Sequence, residues 1–263
     1  MKTNLQIARK GFTLVELLVV ISIIVVLAGI ATPAAMKALN KAALVEGTNN
    51  VRNIKQGLDL FADDMNDEYP NDDTAEEIRE LLDDSEAGGS RGRARLDSSS
   101  GLDRRGGVGS RGRSGSSKTA NSYFEQALAR RAIDSDEMFY HTNFKKAFKT
   151  GLRQPNNDRK LEAGENVWGY NMGLLRTSSS YQPLVFDTPI ETGESPKFAK
   201  KVWDGKIVVA YLDGSVKNEN IGGTDTKAGP VRGNIEGEKM NIFSEDALEG
   251  ILVPAEMRRS GGN

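Results

Sequence analysis

A basic leader followed by a long apolar run constrains this chain more than any other feature. Lys2, Arg9 and Lys10 precede Gly11-Phe12-Thr13-Leu14-Val15-Glu16, and from Phe12 to Met36 the only charge is Glu16. The run is 25 residues long, and a helix rising about 1.5 Å per residue needs roughly 20 to cross the hydrocarbon core of a bilayer. A short flank with three cations and no acid is expected to stay cytoplasmic, with the bulk of the chain exported behind a single span.

An ordinary secretory signal is the competing reading, with a cut near the small residues from Ala31 to Ala35. Its apolar core is typically about 7–15 residues, shorter than this one. It has no use for a carboxylate in the first turns, where an acidic residue deep in a bilayer costs about 2.5–3.5 kcal/mol. Glu16 therefore calls for a nearby cation.

Gly11, Phe12, Thr13, Leu14, Glu16 and, further on, Pro33 resemble the signal of type IV pilins and type II secretion pseudopilins. The resemblance implies cleavage by a prepilin peptidase between Gly11 and Phe12, methylation of the new N-terminus, and retention of the apolar helix. Residues 1–11 are then a leader and 12–36 a transmembrane and assembly helix. The mature chain begins at Phe12 with Glu16 as its fifth residue, and the ammonium of Phe12 on one subunit is the cation for Glu16 of its neighbour. Such a pair in an apolar medium fixes register.

Pro33 removes a backbone donor and crowds the preceding turn, so the helix is expected to kink or loosen between Gly29 and Pro33. The resemblance implies local melting there during filament assembly. Beyond it, Val51, Ile54, Leu58, Phe61 and Met65 recur at spacings of three and four, the stripe of an amphipathic helix that continues to about Asn66 and buries one side on a domain. Glu68-Tyr69-Pro70 stops it; a Tyr-Pro at this place also resembles the major pseudopilin. Thr74-Ala75-Glu76-Glu77 follows as a capping-box pattern for a short helix to about Leu82.

A near-neutral net charge of −2 conceals two opposed blocks. Asp59 to Glu86 holds thirteen acidic residues against Arg79; Ala87 to Lys118 holds seven arginines and a lysine against Asp97 and Asp103. The second block is Gly/Ser/Arg-rich, with Ser90-Arg91-Gly92-Arg93 echoed by Ser110-Arg111-Gly112-Arg113, and has almost nothing to build a core. It is read as a disordered insertion over 87–118, separating a periplasmic helix-turn segment at 37–86 from a globular β-rich domain at 119–263. Arg-Gly tracts bind nucleic acid with help from aromatic stacking. No aromatic lies in this block, so nucleic acid is not the expected partner; an anionic surface, polysaccharide or DNA is the alternative to a solvated loop.

After the insertion, Ser122-Tyr123-Phe124-Glu125 is a second capping-box pattern, for a helix to about Ala132. Val167–Leu175, Gln182–Phe186 and Ile207–Leu212 read as strands. Asp213-Gly214, between Ile207–Leu212 and Ser215-Val216, is the strongest hairpin signal, with Trp203-Asp204-Gly205 as the turn leading into it. A closing helix is expected near Ser244–Leu248. The fold class is α+β: a long N-terminal helix, membrane-embedded in its first half, packed on a small antiparallel sheet.

Enzyme chemistry finds few materials. One histidine, His141, and no cysteine leave neither a His-based metal cluster nor a thiol nucleophile, and His141 is read as structural. Gly222-Gly223 lacks phosphate-loop spacing and reads as surface loop. Calcium enters only by resemblance, since exported major pseudopilins commonly hold it near the C-terminus. Asp213, Asn218, Glu219, Asn220 and Asp225 offer oxygens, but EF-hand spacing is absent, so the segment is read as a hairpin turn and polar loop and no metal or cofactor is assigned. The lack of cysteine leans away from type IV major pilins, many of which carry a disulfide loop.

The reading that results is a non-enzymatic subunit of a type II secretion pseudopilus. Its expected partners are copies of itself, other pseudopilins, prepilin peptidase and an inner-membrane assembly platform. Gly11 and Phe12 serve processing, and Glu16 and Pro33 serve assembly. The alternatives are a surface pilus subunit for adhesion, motility or DNA uptake, and a membrane-tethered exported enzyme or binding protein with a pilin-like anchor.

Overall fold

The computed structural model describes residues 12–78, 119–148, 151–235, 238–244 and 246–257. The expected leader, residues 1–11, and the Arg-rich block at 87–118 lie outside these residues. The chain forms two compact units, Met1–Val45 and Glu46–Asn263.

In the first unit, α1 (Leu14–Asp64) begins and carries the apolar run. Every residue from 12 to 42 is exposed. An apolar surface this long that no described residue covers belongs in lipid or against other helices. α1 continues through Pro33, which lies inside the helix. Proline removes one N–H, the one that would bond to the carbonyl of Gly29, and the turns on either side hold the helix. Thr32 and Ser22 donate their hydroxyls to the carbonyls of Ala28 and Leu18, both at 2.7 Å.

The rest of α1 belongs to the second unit. Val51, Ile54, Leu58, Phe61 and Met65 are all buried, as the spacing predicts. Two glycines lie along the same stripe. A Cβ on Gly47 would stand 2.8 Å from the ring of Trp203, and one on Gly57 would stand 2.3 Å from Cγ1 of Ile133 and 2.8 Å from the carbonyl oxygen of Ala132. Glycine inside a helix costs about 1 kcal/mol relative to alanine, whereas overpacking costs about 1–3 kcal/mol. With backbone as one obstacle, the steric cost prevails. Gly57→Ala is expected to lower stability by about 1–2 kcal/mol; a urea midpoint at or above that of the parent would show that the 132–133 turn yields freely.

At the foot of α1, Lys55 is buried and tied to Asp59 at 2.5 Å, and the Tyr69 hydroxyl donates to Asp59 at 2.8 Å. Tyr170 donates to the Pro70 carbonyl at 2.9 Å, so the Tyr-Pro breaker is held from both sides. The next helix, α2, opens at residue 72 and is described to residue 78. Its cap is Asn71, three residues before the expected Thr74: Asn71 Oδ1 accepts from the Thr74 N–H, and Thr74 Oγ1 accepts from the Asn71 N–H, both at 2.8 Å. This is a capping box with threonine in the place of glutamate. The expected helix end near Leu82 lies outside the described residues.

α3 (Ala120–Ala129) also starts earlier than expected. Thr119 is its cap without a side-chain bond, Ser122 Oγ donates to the Thr119 carbonyl, and Glu125 accepts the N–H of Leu161. The Ser122–Glu125 box does not form because both side chains have other partners.

Seven antiparallel strands make the main sheet, in the order β8-β7-β5-β4-β2-β1-β9. They are β1 (Trp168–Met172), β2 (Pro183–Asp187), β4 (Lys206–Tyr211), β5 (Val216–Ile221), β7 (Val231–Ile235), β8 (Glu238–Asn241) and β9 (Ile251–Val253). A two-stranded sheet joins β3 (Phe198–Ala199) to β6 (Ala228–Gly229). β2 is buried along its whole length and β4 beyond Lys206, because both faces of the sheet are covered. On one face Tyr170 meets Tyr123 and Phe124 of α3 at ring-centroid distances of 5.6 and 5.4 Å, and Trp168 meets Phe144 at 5.6 Å. On the other, Phe186, Ile207, Val209 and Tyr211 pack with Phe198, Ile242 and Phe243.

The Asp213-Gly214 hairpin forms as expected, with Gly214 at φ 81° and β4 paired to β5 from Ala210↔Val216 to Lys206↔Asn220. Asp204 and Gly205, both at positive φ, make the turn before it. Asn218, Glu219 and Asn220 are not in a loop: they are strand β5, polar because its outward positions are exposed. β7 and β8 were not signalled by the sequence. The expected closing helix at Ser244–Leu248 is a single turn instead, with the N–H groups of Ala247 and Leu248 both donating to the Ser244 carbonyl. Gly222 is not simply surface, since a Cβ on Gly229 would stand 2.0 Å from its carbonyl oxygen.

Asp187, at the end of β2, is 3 % exposed and accepts from Trp203 Nε1 at 2.7 Å and from the Val208 N–H at 3.3 Å. Burial pushes its carboxyl well above the usual carboxylate range, against the pull of the two N–H donors. The unfolded chain releases this proton at about pH 4 and the folded chain at a higher pH. Between the two the folded state binds more protons, so stability falls as pH rises through that window, and the loss is complete above the folded value. Asp187→Asn is expected to flatten this part of the pH profile; urea midpoints that fall with the same slope in both proteins would contradict it.

Candidate functional site

The start of α1 is built around one residue pair. Thr13 is the helix cap: its carbonyl accepts the N–H of Leu17 at 3.3 Å, and its Oγ1 accepts the N–H of Glu16 at 3.2 Å. Glu16 reaches back, and its Oε2 accepts the Thr13 N–H at 2.9 Å and the Thr13 hydroxyl at 2.8 Å. Each side chain thus satisfies an amide that the first turn leaves open. In this geometry the Glu16 carboxylate accepts from two neutral donors of Thr13, one residue from Phe12. Phe12 is 76 % exposed, so its ring is open to lipid or to a neighbouring helix.

The sequence indicated Glu16 but not its local partner. The signal was present, since Thr-x-x-Glu ahead of an apolar run is a capping box. Thr13→Ala is expected to cost the helix start about 0.5–2 kcal/mol and Thr13→Ser much less. Hydrogen exchange of the amides from Leu14 to Leu17 reports it, and equal protection in all three proteins would deny the cap. Pro33 lies 17 residues past Glu16 on the same exposed helix, so the structure does not bring these two expected assembly residues together.

The domain offers a concave feature. A solvent-open pocket of about 360 Å³ is lined by Glu46 of α1 and by Glu137, Tyr140, His141, Thr142, Lys145 and Gln154. His141 Nδ1 accepts the Asn143 N–H at 3.1 Å, its Nε2 lies 3.5 Å from Glu46 Oε2, and its ring stands edge-on to Trp203 at 4.8 Å.

Among the described residues no three His, Cys, Asp or Glu side chains gather as metal ligands. The oxygens considered for calcium are spread along the hairpin and engaged locally. Asp213 accepts the Ser215 N–H and Asp225 the Lys227 N–H, each at 2.8 Å, and Glu219 accepts the Tyr211 hydroxyl at 3.0 Å.

Comparison with known proteins agrees with the N-terminal geometry. The family described as the prokaryotic N-terminal methylation motif matches residues 8–32, the span that contains the expected processing junction, the Thr13–Glu16 box and most of the exposed apolar helix. No curated protein and no solved structure matches this chain. The chain therefore carries a type IV pilin-like signal on an α+β, pilin-like fold: a long apolar N-terminal helix and an antiparallel sheet.

Proposed function

We propose that this chain is a structural subunit of a type II secretion pseudopilus. Prepilin peptidase removes residues 1–11 at the Gly11–Phe12 bond and methylates Phe12. Residues 12–36 hold the subunit in the inner membrane until an assembly platform extracts it, and the β-rich domain faces the periplasm. Subunits stack through α1, with Glu16 setting register against the ammonium of Phe12 in the neighbour and the helix around Pro33 adapting as they pack. The growing filament, with other pseudopilins, supports export of folded cargo; the subunit itself is not an enzyme and needs no cofactor.

The observation that carries this reading is the methylation motif at residues 8–32 on a helix whose residues 12–42 are all exposed. The Tyr69-Pro70 stop and the absence of cysteine support the secretion branch of the class. The Arg-rich block at 87–118 favours a second reading, a surface pilus that meets an anionic partner.

Deleting the gene in its own host and comparing released proteins with surface filaments separates them. Loss of several secreted proteins with surface filaments unchanged is the expected result. Intact secretion with surface filaments lost would replace this reading with the pilus.

A further inference from the structure

The single histidine of the chain lies where the fold dictates which nitrogen carries its proton. His141 is 3 % exposed, and its Nδ1 accepts the Asn143 N–H, capping the 3-10 helix Thr142–Lys146. A nitrogen that accepts from a backbone amide has no proton of its own, so the neutral ring carries its proton on Nε2. That nitrogen stands 3.5 Å from Glu46 Oε2 on α1. The pocket beside the ring is open to solvent, which gives protons a route to it.

We propose that His141 is a pH-operated latch: neutral, it holds the turn at Thr142–Lys146 through Nδ1 while Nε2 faces Glu46 of α1, and a second proton, taken up at Nδ1, releases that turn.

The charges around the ring decide the direction. Glu46 faces it from α1, Glu137 and Tyr140 line the pocket from the preceding segment, Lys145 lines it from the turn itself, and Trp203 presents an uncharged ring edge. Glu46 attracts an imidazolium, but its side chain is 68 % exposed, so water weakens the attraction. Lys145 opposes it. A second proton would set two N–H groups facing each other at Asn143 and place a charge on a ring that is almost fully buried. The neutral ring is therefore the form that fits the fold, and acid opens the cap. Trp203 passes the change inward, since it also donates to Asp187 and packs over Gly47.

The inference does not depend on the filament reading. Its test uses the full-length chain in detergent at about pH 7.5 and about pH 5, either side of the ordinary imidazole range. His141→Asn keeps an acceptor oxygen close to the position of Nδ1 but takes up no proton. On acidification the parent is expected to lose more thermal stability than His141→Asn. Its Asn143 amide, corrected for intrinsic exchange, is expected to open on the order of tenfold more than in the variant. Should the variant not fold, the ring nitrogen resonances of the parent carry the test alone, and they are expected to show an Nε2–H ring at the higher pH. Equal acid sensitivity in the two proteins overturns the latch. So does a ring protonated at Nδ1 near pH 7.5.

Discussion

Glu16→Val is expected to leave the chain in the membrane and to abolish filaments. Valine extends the apolar run, so insertion is at least as favourable as in the parent. Assembly is another matter. In the parent, Glu16 meets the Thr13 amide and hydroxyl within its own chain, contacts that neutral donors supply without cancelling charge. In the proposed filament, pairing with a neighbour's Phe12 ammonium would cancel it. Valine leaves that ammonium alone in an apolar medium, and breaking a buried pair by removing one partner costs about 3–5 kcal/mol, more than a hundredfold at each subunit contact by the usual conversion of about 1.4 kcal/mol per tenfold. Because a filament repeats the contact at every subunit, the yield falls below detection. Immunoblots of sheared and membrane fractions separate the two effects, and a normal filament yield would remove the role given to Glu16.

Trp168→Ala is expected to be the most damaging single truncation in the domain. Trp168 is fully buried at the start of β1, edge-on to Phe144, and donates from Nε1 to the Met138 carbonyl at 2.9 Å. Alanine there leaves a cavity where the strand, the 3-10 turn and the Gly47 end of the domain's helix meet. Truncating a buried tryptophan costs about 3–5 kcal/mol, with the stranded Met138 carbonyl included in the upper part of that range. For a unit of this size each kcal/mol moves the melting temperature by about 2–4 °C, so a drop of about 6–20 °C is expected by thermal unfolding. A drop of only a degree or two would mean that the aromatic cluster closes around the gap. Trp168→Phe keeps most of the volume and should fall between the two.

What was legible in the sequence follows from how local each signal is. The stripe from Val51 to Met65 repeats one helical spacing, and the buried side of α1 obeyed it. The β4–β5 hairpin was announced by Asp213-Gly214, whose conformation few other pairs adopt. Where two caps competed, the sequence misled: Thr74 and Ser122 both begin acceptable boxes, but Asn71 takes the first cap, and Glu125 is drawn off to Leu161, more than thirty residues away. β7, β8 and the far part of β5 are not legible because a strand with one wet face can be as polar as a loop, and only the register with β4 identifies Asn218–Asn220 as paired. Gly47 and Gly57 carry no local signal of their role; they are where Trp203 and the 132–133 turn come close to the helix.

The N-terminal pair shows the same division. Thr13 and Glu16 are close in sequence, so both the motif and the capping geometry were available before any fold was known. His141 and Glu46 are 95 positions apart, and nothing short of the folded domain puts them in contact.

The central claim is that the apolar helix is retained and begins at Phe12, and the intact mass with the N-terminal sequence of the chain purified from its own host tests this most directly. The account predicts a chain that starts at Phe12, carries one methyl group on that residue and keeps the whole apolar run. A mature chain that begins beyond Ala31, or one that still starts at Met1, would contradict it.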